Sequence, residues 1–271
     1  MGRIEDIFAS ARAEGRKLLM PFVCAEHPRA GATVEVLPAL DRAGAAIVEV
    51  GIPFSDPIAD GPVIAGAMHE ALERGATPGR VFEQVASVRS RVDCGLVAMV
   101  SVSIVHRFGG ASGFVGRAKE AGFDGLIIPD LPVEDAGGVL DAARSSDMTL
   151  SMLIAPATSR DRAQRLCEAS SGFVYLLARS GITGERRESP EIGGRVAQLR
   201  EITDLPIAAG FGISTAEHVA AAVSHADAAI VGSALVKRLT SAVDPAAEAD
   251  AFVRELSSGL PGGGQTQQQQ D

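Results

Sequence analysis

The sequence lacks the features that would tie it to a membrane, a polyanion or an oxidising compartment. Across 271 residues, no apolar run approaches the ~20 residues needed to span a bilayer. Positive charge is in deficit: 25 Lys and Arg face 34 Asp and Glu, a net charge of −9. Such a surface offers no electrostatic footprint to nucleic acid or anionic lipid. The opening stretch MGRIEDIFASARAEGRK mixes acids and bases at helical spacing and has no apolar signal core. Asp6 stands where an N-myristoylation signal needs Ser or Thr. Cysteine is scarce as well. Cys24, Cys94 and Cys167 are odd in number and lack CxxC spacing, so they are expected to be reduced thiols in small core positions. Together these absences set the expectation of a soluble, cytoplasmic protein with neither a nucleic-acid nor a membrane partner.

What the chain does have is an alternation. Short apolar runs recur at 18–23 (LLMPFV), 46–50, 95–100, 125–129, 149–154, 172–177, 206–209 and 228–232. Each is bounded by Gly, Pro or Asp and has the composition of a parallel strand buried on both faces. Between them lie amphipathic helical patterns such as TVEVLPALDRAG, GFVGRAKEAG, RDRAQRLCEASS and TAEHVAAAVSHA. Gly44 and Gly122 are placed to cap two of these at the C-terminus. Eight strands alternating with helices predict an α/β fold, a single (β/α)8 TIM barrel in preference to an open doubly wound sheet. Two helices are expected beyond that plan. One is IEDIFASARAEG, which would cover the bottom of the barrel. The other arises because VIAGAMHEALERG and PGRVFEQVASVRS both lie between strands two and three. Residues 1–257 are expected to form the barrel domain, and SGLPGGGQTQQQQD (258–271) a disordered tail.

In such barrels function collects at the carboxyl ends of the strands. The stretch VEVGIPFSDPIADGP (48–62) stands out there. Alternation along the second strand sets Glu49 opposite Val48 and Val50. If the valines face the helices, Glu49 points into the barrel mouth, where burial would raise its pKa and suit it to proton transfer. The plainer alternative is a carboxylate paired with a base or bonded to backbone. Asp60 is bracketed by Pro57 and Pro62, which stiffen the loop that would hold it over the mouth; an N-cap for a helix starting near Pro62 would explain it as well. Asp56 needs no more than a turn-forming role.

The late strands end in Gly-rich segments, SGITGE (180–185), AGFGIS (209–214) and VGSALV (231–236). Glycines let backbone N–H groups approach a phosphate, and a following helix start adds its positive end. Gly184, Gly212, Gly232 and Ser233 are therefore the expected phosphate-binding positions. Tyr175, the only tyrosine, carries a hydroxyl that needs a partner if buried, either at the mouth beside Glu49 or at a core carbonyl. The Gly- and charge-rich segment 178–195 has the character of a mobile lid.

VEVGIPFSDPIADGPVI, GLIIPDLPVED, FVYLLARSGITG, LPIAAGFGIS and IVGSALV resemble, in order, the signature segments of the tryptophan synthase α chain family, from about Ile4 to Leu239. The resemblance implies a carbon–carbon lyase that cleaves indole-3-glycerol phosphate to indole and glyceraldehyde 3-phosphate, with no metal and no organic cofactor. It implies Glu49 as the general acid–base group, Asp60 as the holder of the indole N–H, and Tyr175 beside them. Phe22 and Phe211 would flank the substrate, and Gly184, Gly212, Gly232 and Ser233 would bind its phosphate. Two segments depart from the family. Ala25-Glu26-His27-Pro28 replaces an Ala-Gly-Asp-Pro turn. Here His27 reads as a solvated loop residue in preference to a mouth group titrating near neutral pH. Met99–His106 (MVSVSIVH) replaces a Tyr-, Asn- and Pro-bearing segment that lines the indole side of the pocket and lies near the surface that docks the β chain. This leaves open a partnership with a β chain, a free-standing indole-releasing activity, or an altered phosphorylated substrate.

Overall fold

Each of the eight apolar runs becomes strand because it is too short and too rich in β-branched and aliphatic residues to turn as a helix. The computed structural model describes residues 2–57, 60–178, 192–210 and 212–262. Its strands are β1 (Leu18–Cys24), β2 (Ile47–Gly51), β3 (Gly95–Met99), β4 (Gly125–Ile127), β5 (Thr149–Ser151), β6 (Leu153–Ile154), β7 (Val174–Leu177), β8 (Ile207–Gly210) and β9 (Ala228–Val231). They form one sheet in the order β5-β4-β3-β2-β1-β9-β8-β7-β6, with parallel pairing throughout. The ends of this sheet, β5 and β6, are halves of one stave interrupted at Met152, so the sheet curls into a barrel of eight staves.

The helices are α1 (Arg3–Ala13), α2 (Ala32–Arg42), α3 (Pro62–Glu73), α4 (Pro78–Val88), α5 (Val102–Arg107), α6 (Gly110–Ala121), α7 (Ala136–Ser145), α8 (Arg160–Glu168), α9 (Gly193–Arg200), α10 (Ala216–Val223), α11 (Ser233–Thr240) and α12 (Pro245–Ser257). The expected N-terminal helix is α1, and the expected pair between strands two and three is α3 and α4. The short α5 adds to the expected set. It forms because Ser101 caps it, its hydroxyl accepting from the Ser103 N–H, while the Asp130 carboxylate takes the Val102 N–H.

Alternation along the staves sorts the side chains. Met20, Ile47, Val97, Ile127, Tyr175, Ala208 and Ile230 pack inside the barrel, whereas Val48, Val50, Leu96, Leu126 and Leu176 face the helices. The barrel floor is α1: Ile4 and Phe8 join the interior cluster, and the Phe8 ring lies 5.6 Å from that of Phe173. Gly95 makes room for this plug, since a Cβ there would sit 2.6 Å from Ile4 Cδ1. The three cysteines are buried free thiols. Among the described residues no helix is long and apolar enough to cross a membrane. Of the segment expected as a tail, residues 258–262 follow α12 in turns, with Leu260 packed against the core; residues 263–271 lie outside the described residues.

Candidate functional site

Glu49 is the central residue of β2, two before its end, in register with Phe22 of β1 and Val97 of β3. Its valine neighbours face the helices, so its carboxylate is directed into the barrel. It is 0% exposed, and among the described residues neither carboxylate oxygen has a hydrogen-bond partner. Burial alone drives its pKa well above the ordinary carboxyl range, and the alternative of a paired or backbone-bonded carboxylate is not what is found. Burial of this kind favours the protonated form, which suits the group to donate a proton.

Tyr175, on β7, belongs to the same interior cluster and is 5% exposed. Its hydroxyl lies over Gly210 at the carboxyl end of β8, where a Cβ would come within 2.5 Å of the oxygen. Burial first, then the charges of Glu49 and Asp60, raise the Tyr175 pKa well above its usual value. The three groups therefore share one electrostatic neighbourhood. Asp60 does not cap α3; that position is taken by Gly61, with no side-chain cap, and Pro62 opens the helix. Instead Asp60 reaches the mouth, where burial raises its pKa to about 6. Asp60 is therefore mainly an anion at neutral pH, while burial biases Glu49 towards its protonated form. Depth of burial thus shifts two carboxyls on one strand and its loop unequally, the kind of arrangement by which a single site supplies both an acid and a fixed negative charge.

A cleft opens beside Asp60, lined by the loops after β2, β3 and β4 and by α3. Ile52, Phe54, Met68, Met99, Val100 and Pro129 make it largely apolar, and Asp56, Asp60, Ser101 and Asp130 contribute the polar atoms. The altered segment after β3 therefore faces the same cleft as Asp60. Ser101 is buried, and its hydroxyl donates to Asp130 at 2.7 Å. Asp130, Met68 and Pro129 were not singled out from sequence; a proline-aspartate pair ending an apolar run was the available signal for two of them. Asp56 is engaged locally, accepting from the Ser55 hydroxyl at 2.5 Å, in keeping with a turn residue.

Phe22 points inward at the end of β1 and is 2% exposed. Its ring tip packs on Gly51, where a Cβ would lie 2.5 Å from Cζ, and its Cβ side faces Gly232. Gly232 precedes α11, and Ser233 is its buried first residue, so the first-turn N–H groups of that helix, which have no intrahelical acceptor, face the carboxyl end of the barrel. Gly212 follows β8 with φ +81°, a left-handed conformation that glycine adopts without strain. Because β8 and β9 pair directly, Gly212 and Gly232 end adjacent staves. Gly184, Phe211 and residues 179–191 of the segment expected as a lid lie outside the described residues.

The turn after β1 corrects one expectation. His27 is not solvated; it is 3% exposed, with Nε2 3.0 Å from Thr240 Oγ1 and Nδ1 3.6 Å from the Glu70 carboxylate. Burial lowers its pKa, and the opposing pull of Glu70 is smaller. Glu26 is buried too. It adopts φ +62°, and its carboxylate accepts from the Gly31 N–H at 2.6 Å and the Gln84 amide at 2.6 Å, with Arg80 at 3.2 Å. These partners lie on α4 and at the start of α2, a contact that local sequence does not reveal.

Comparison with known proteins places this geometry. The family model described as "Tryptophan synthase alpha chain" matches residues 8–260. A tryptophan synthase α chain of Synechococcus sp. is 42% identical over 253 residues, covering 92% of this chain and 94% of that one. That of Halorhodospira halophila is 41% identical over 240 residues, covering 88% of each. The α subunit of Legionella pneumophila tryptophan synthase superposes with a TM-score of 0.88 at 31% identity, covering 96% of this chain and 98% of that one.

Proposed function

The chain belongs to the tryptophan synthase α chain family, and from that premise we propose that it is a carbon–carbon lyase that cleaves indole-3-glycerol phosphate to indole and glyceraldehyde 3-phosphate. The observation that carries the proposal is Glu49: a fully buried carboxyl, without a partner among the described residues, directed into the mouth beside Asp60 and Tyr175.

The chemistry needs those properties. Cleavage begins when a proton is delivered to the ring carbon that bears the glycerol chain, which makes that carbon tetrahedral and places positive charge on the indole nitrogen. Glu49, protonated by burial, supplies the proton. Asp60, ionised above about pH 6, accepts the indole N–H and stabilises the developing cation. The adjacent hydroxyl of the chain then gives up its proton as its carbon becomes the aldehyde. The electrons of the breaking carbon–carbon bond return to the ring and restore the indole. Glu49, now a carboxylate, takes that hydroxyl proton, with Tyr175 alongside, so no net proton is consumed. Each transfer contributes about 10²–10⁴ in rate. Gly212, Gly232 and Ser233 bind the phosphate with backbone N–H groups and the positive end of α11, and Gly184 completes that set. Phe22 and Phe211 flank the ring.

As in an α chain that works within a two-component synthase, the partner would be a tryptophan synthase β chain docking over the mouth near α5. The test is aldehyde release from indole-3-glycerol phosphate by wild type and Glu49→Gln, each with and without a β chain. Release by wild type alone, stimulated by the β chain, is the expected result. Its kcat/KM should fall about tenfold per pH unit below an apparent pKa near 6, as Asp60 is protonated. Failure of wild type to exceed the Glu49→Gln control under either condition overturns the assignment; release unaffected by a β chain would mark a free-standing lyase.

A further inference from the structure

Three elements meet behind the mouth: β1, α3 and α11. They share an apolar seam in which Phe22 and Cys24 of β1, Ile64 and Met68 of α3, and Val236 of α11 pack together. Both helices carry parts of the site at their starts. Helix α3 begins two residues after Asp60, and α11 begins immediately after Gly232. An apolar seam sets the distance between two helices but is non-directional, so it resists sliding weakly. Directional bonds must hold the register of α11, and they lie at its far end.

The Thr240 hydroxyl, on the last residue of α11, donates to the Val236 carbonyl at 2.8 Å. Its proton is thereby spent, so at 3.0 Å from His27 Nε2 it accepts from an Nε2–H. That assigns the tautomer: Nδ1 carries the lone pair. Nδ1 is buried without a hydrogen-bond partner among the described residues and faces the Glu70 carboxylate of α3 across 3.6 Å. Glu70 is itself held at 2.9 Å by Arg74, one turn on and immediately past the end of α3. The bonded link therefore runs from the His27 ring, in the turn after β1, to Thr240 and the backbone of α11, while Glu70 of α3 faces the ring without a hydrogen bond to it.

We propose that His27 is a positioning residue for the reaction, a brace that fixes α11 relative to the turn after β1 and so sets the first-turn N–H groups of α11 against the substrate phosphate. This rests on the phosphate site assigned above. Helix α11 has eight residues and moves as a stiff unit of roughly 12 Å, so freeing its Thr240 end shifts its Gly232–Ser233 end. His27 touches no substrate; its effect is on binding of the phosphate, more than on the proton transfers at Glu49.

The test compares wild type with His27→Ala, His27→Gln and Thr240→Val, each checked for folding by circular dichroism. Two quantities are read: KM and kcat for indole-3-glycerol phosphate, and the dissociation constant of inorganic phosphate. His27→Ala should raise KM and the phosphate dissociation constant in parallel by about tenfold, inside the ~10²-fold that a 1 Å misplacement can cost. The change in kcat should stay below about threefold. His27→Gln, whose amide can donate to Thr240, should recover most of the loss. Thr240→Val, at an exposed position, removes the hydroxyl and with it both the His27 acceptor and the bond to the Val236 carbonyl, and should reproduce it if His27→Ala fails to fold. Unchanged phosphate binding in folded His27→Ala or Thr240→Val overturns the brace, as does a loss confined to kcat. Phosphate binding is read without turnover, so an inactive wild type would overturn the lyase assignment while leaving the brace to be judged by its own measurement.

Discussion

At the scale of single residues, the site depends on two carboxyls that burial has separated. Glu49 is the more extreme, because no cation or donor among the described residues answers its charge. The stability consequence has a definite sign. Burial raises its pKa in the fold above the unfolded value, so the folded state holds the proton more tightly. Stability from this group is complete below the ordinary carboxyl range and is lost as pH rises through the folded pKa. Glu49→Gln cannot ionise and escapes that loss. It is expected to abolish about 10²–10⁴ of the rate and at the same time to unfold at higher urea than wild type at pH 8. The gap in urea midpoint should close as pH is lowered towards 4.5, the ordinary value for the side chain. A gap that stays constant with pH would show that the charge is compensated. That Glu49 could face inward was legible from the alternation of VEV; that nothing would satisfy it was not, since its surroundings come from other strands.

At the scale of elements, the turn from β1 into α2 shows how a departure from the family pattern is absorbed. Glu26 adopts a left-handed backbone, which costs a non-glycine residue about 1 kcal/mol or more. Its carboxylate offsets this by tying the start of α2 to α4, through the Gly31 N–H and the Gln84 amide. Two substitutions separate these terms. Glu26→Ala keeps the backbone strain and loses the buried, charge-assisted bonds, and should destabilise by about 2–4 kcal/mol. Glu26→Gly loses the same bonds but relieves the strain, and should cost about 1 kcal/mol less. Urea unfolding of the two variants measures the difference; equal losses would mean that the backbone is unstrained. The Glu–His pair reads in sequence as an exposed loop because Gln84 lies 58 residues away from Glu26 and Thr240 lies 213 from His27.

At the scale of the whole molecule, the barrel is closed at one end and chemical at the other. The floor is α1, whose Ile4 and Phe8 fill the space beneath Ile47, Val97 and Phe173. Phe8→Ala should cost about 3–5 kcal/mol of stability in urea unfolding, because a cavity at the floor is ringed by strands that cannot collapse into it. It should leave KM for indole-3-glycerol phosphate within about twofold, since the floor and the mouth are opposite ends of the barrel. A large change in KM would mean that the interior transmits strain between them.

The strand runs, the two additional helices and the placing of Glu49 opposite its two valines follow from periodicity, and the sequence by itself determined them, because hydrophobic alternation and helix capping are local. The segments resembling the tryptophan synthase α chain likewise pointed to the family that the comparisons show. Only the tertiary structure decided which polar groups are satisfied. It left Glu49 without a partner among the described residues, drew Asp60 to the mouth instead of to a helix cap, joined Ser101 to Asp130, and buried Glu26 and His27 between helices. Burial and hydrogen-bond satisfaction depend on residues far apart in the chain, and those meet only when the barrel closes.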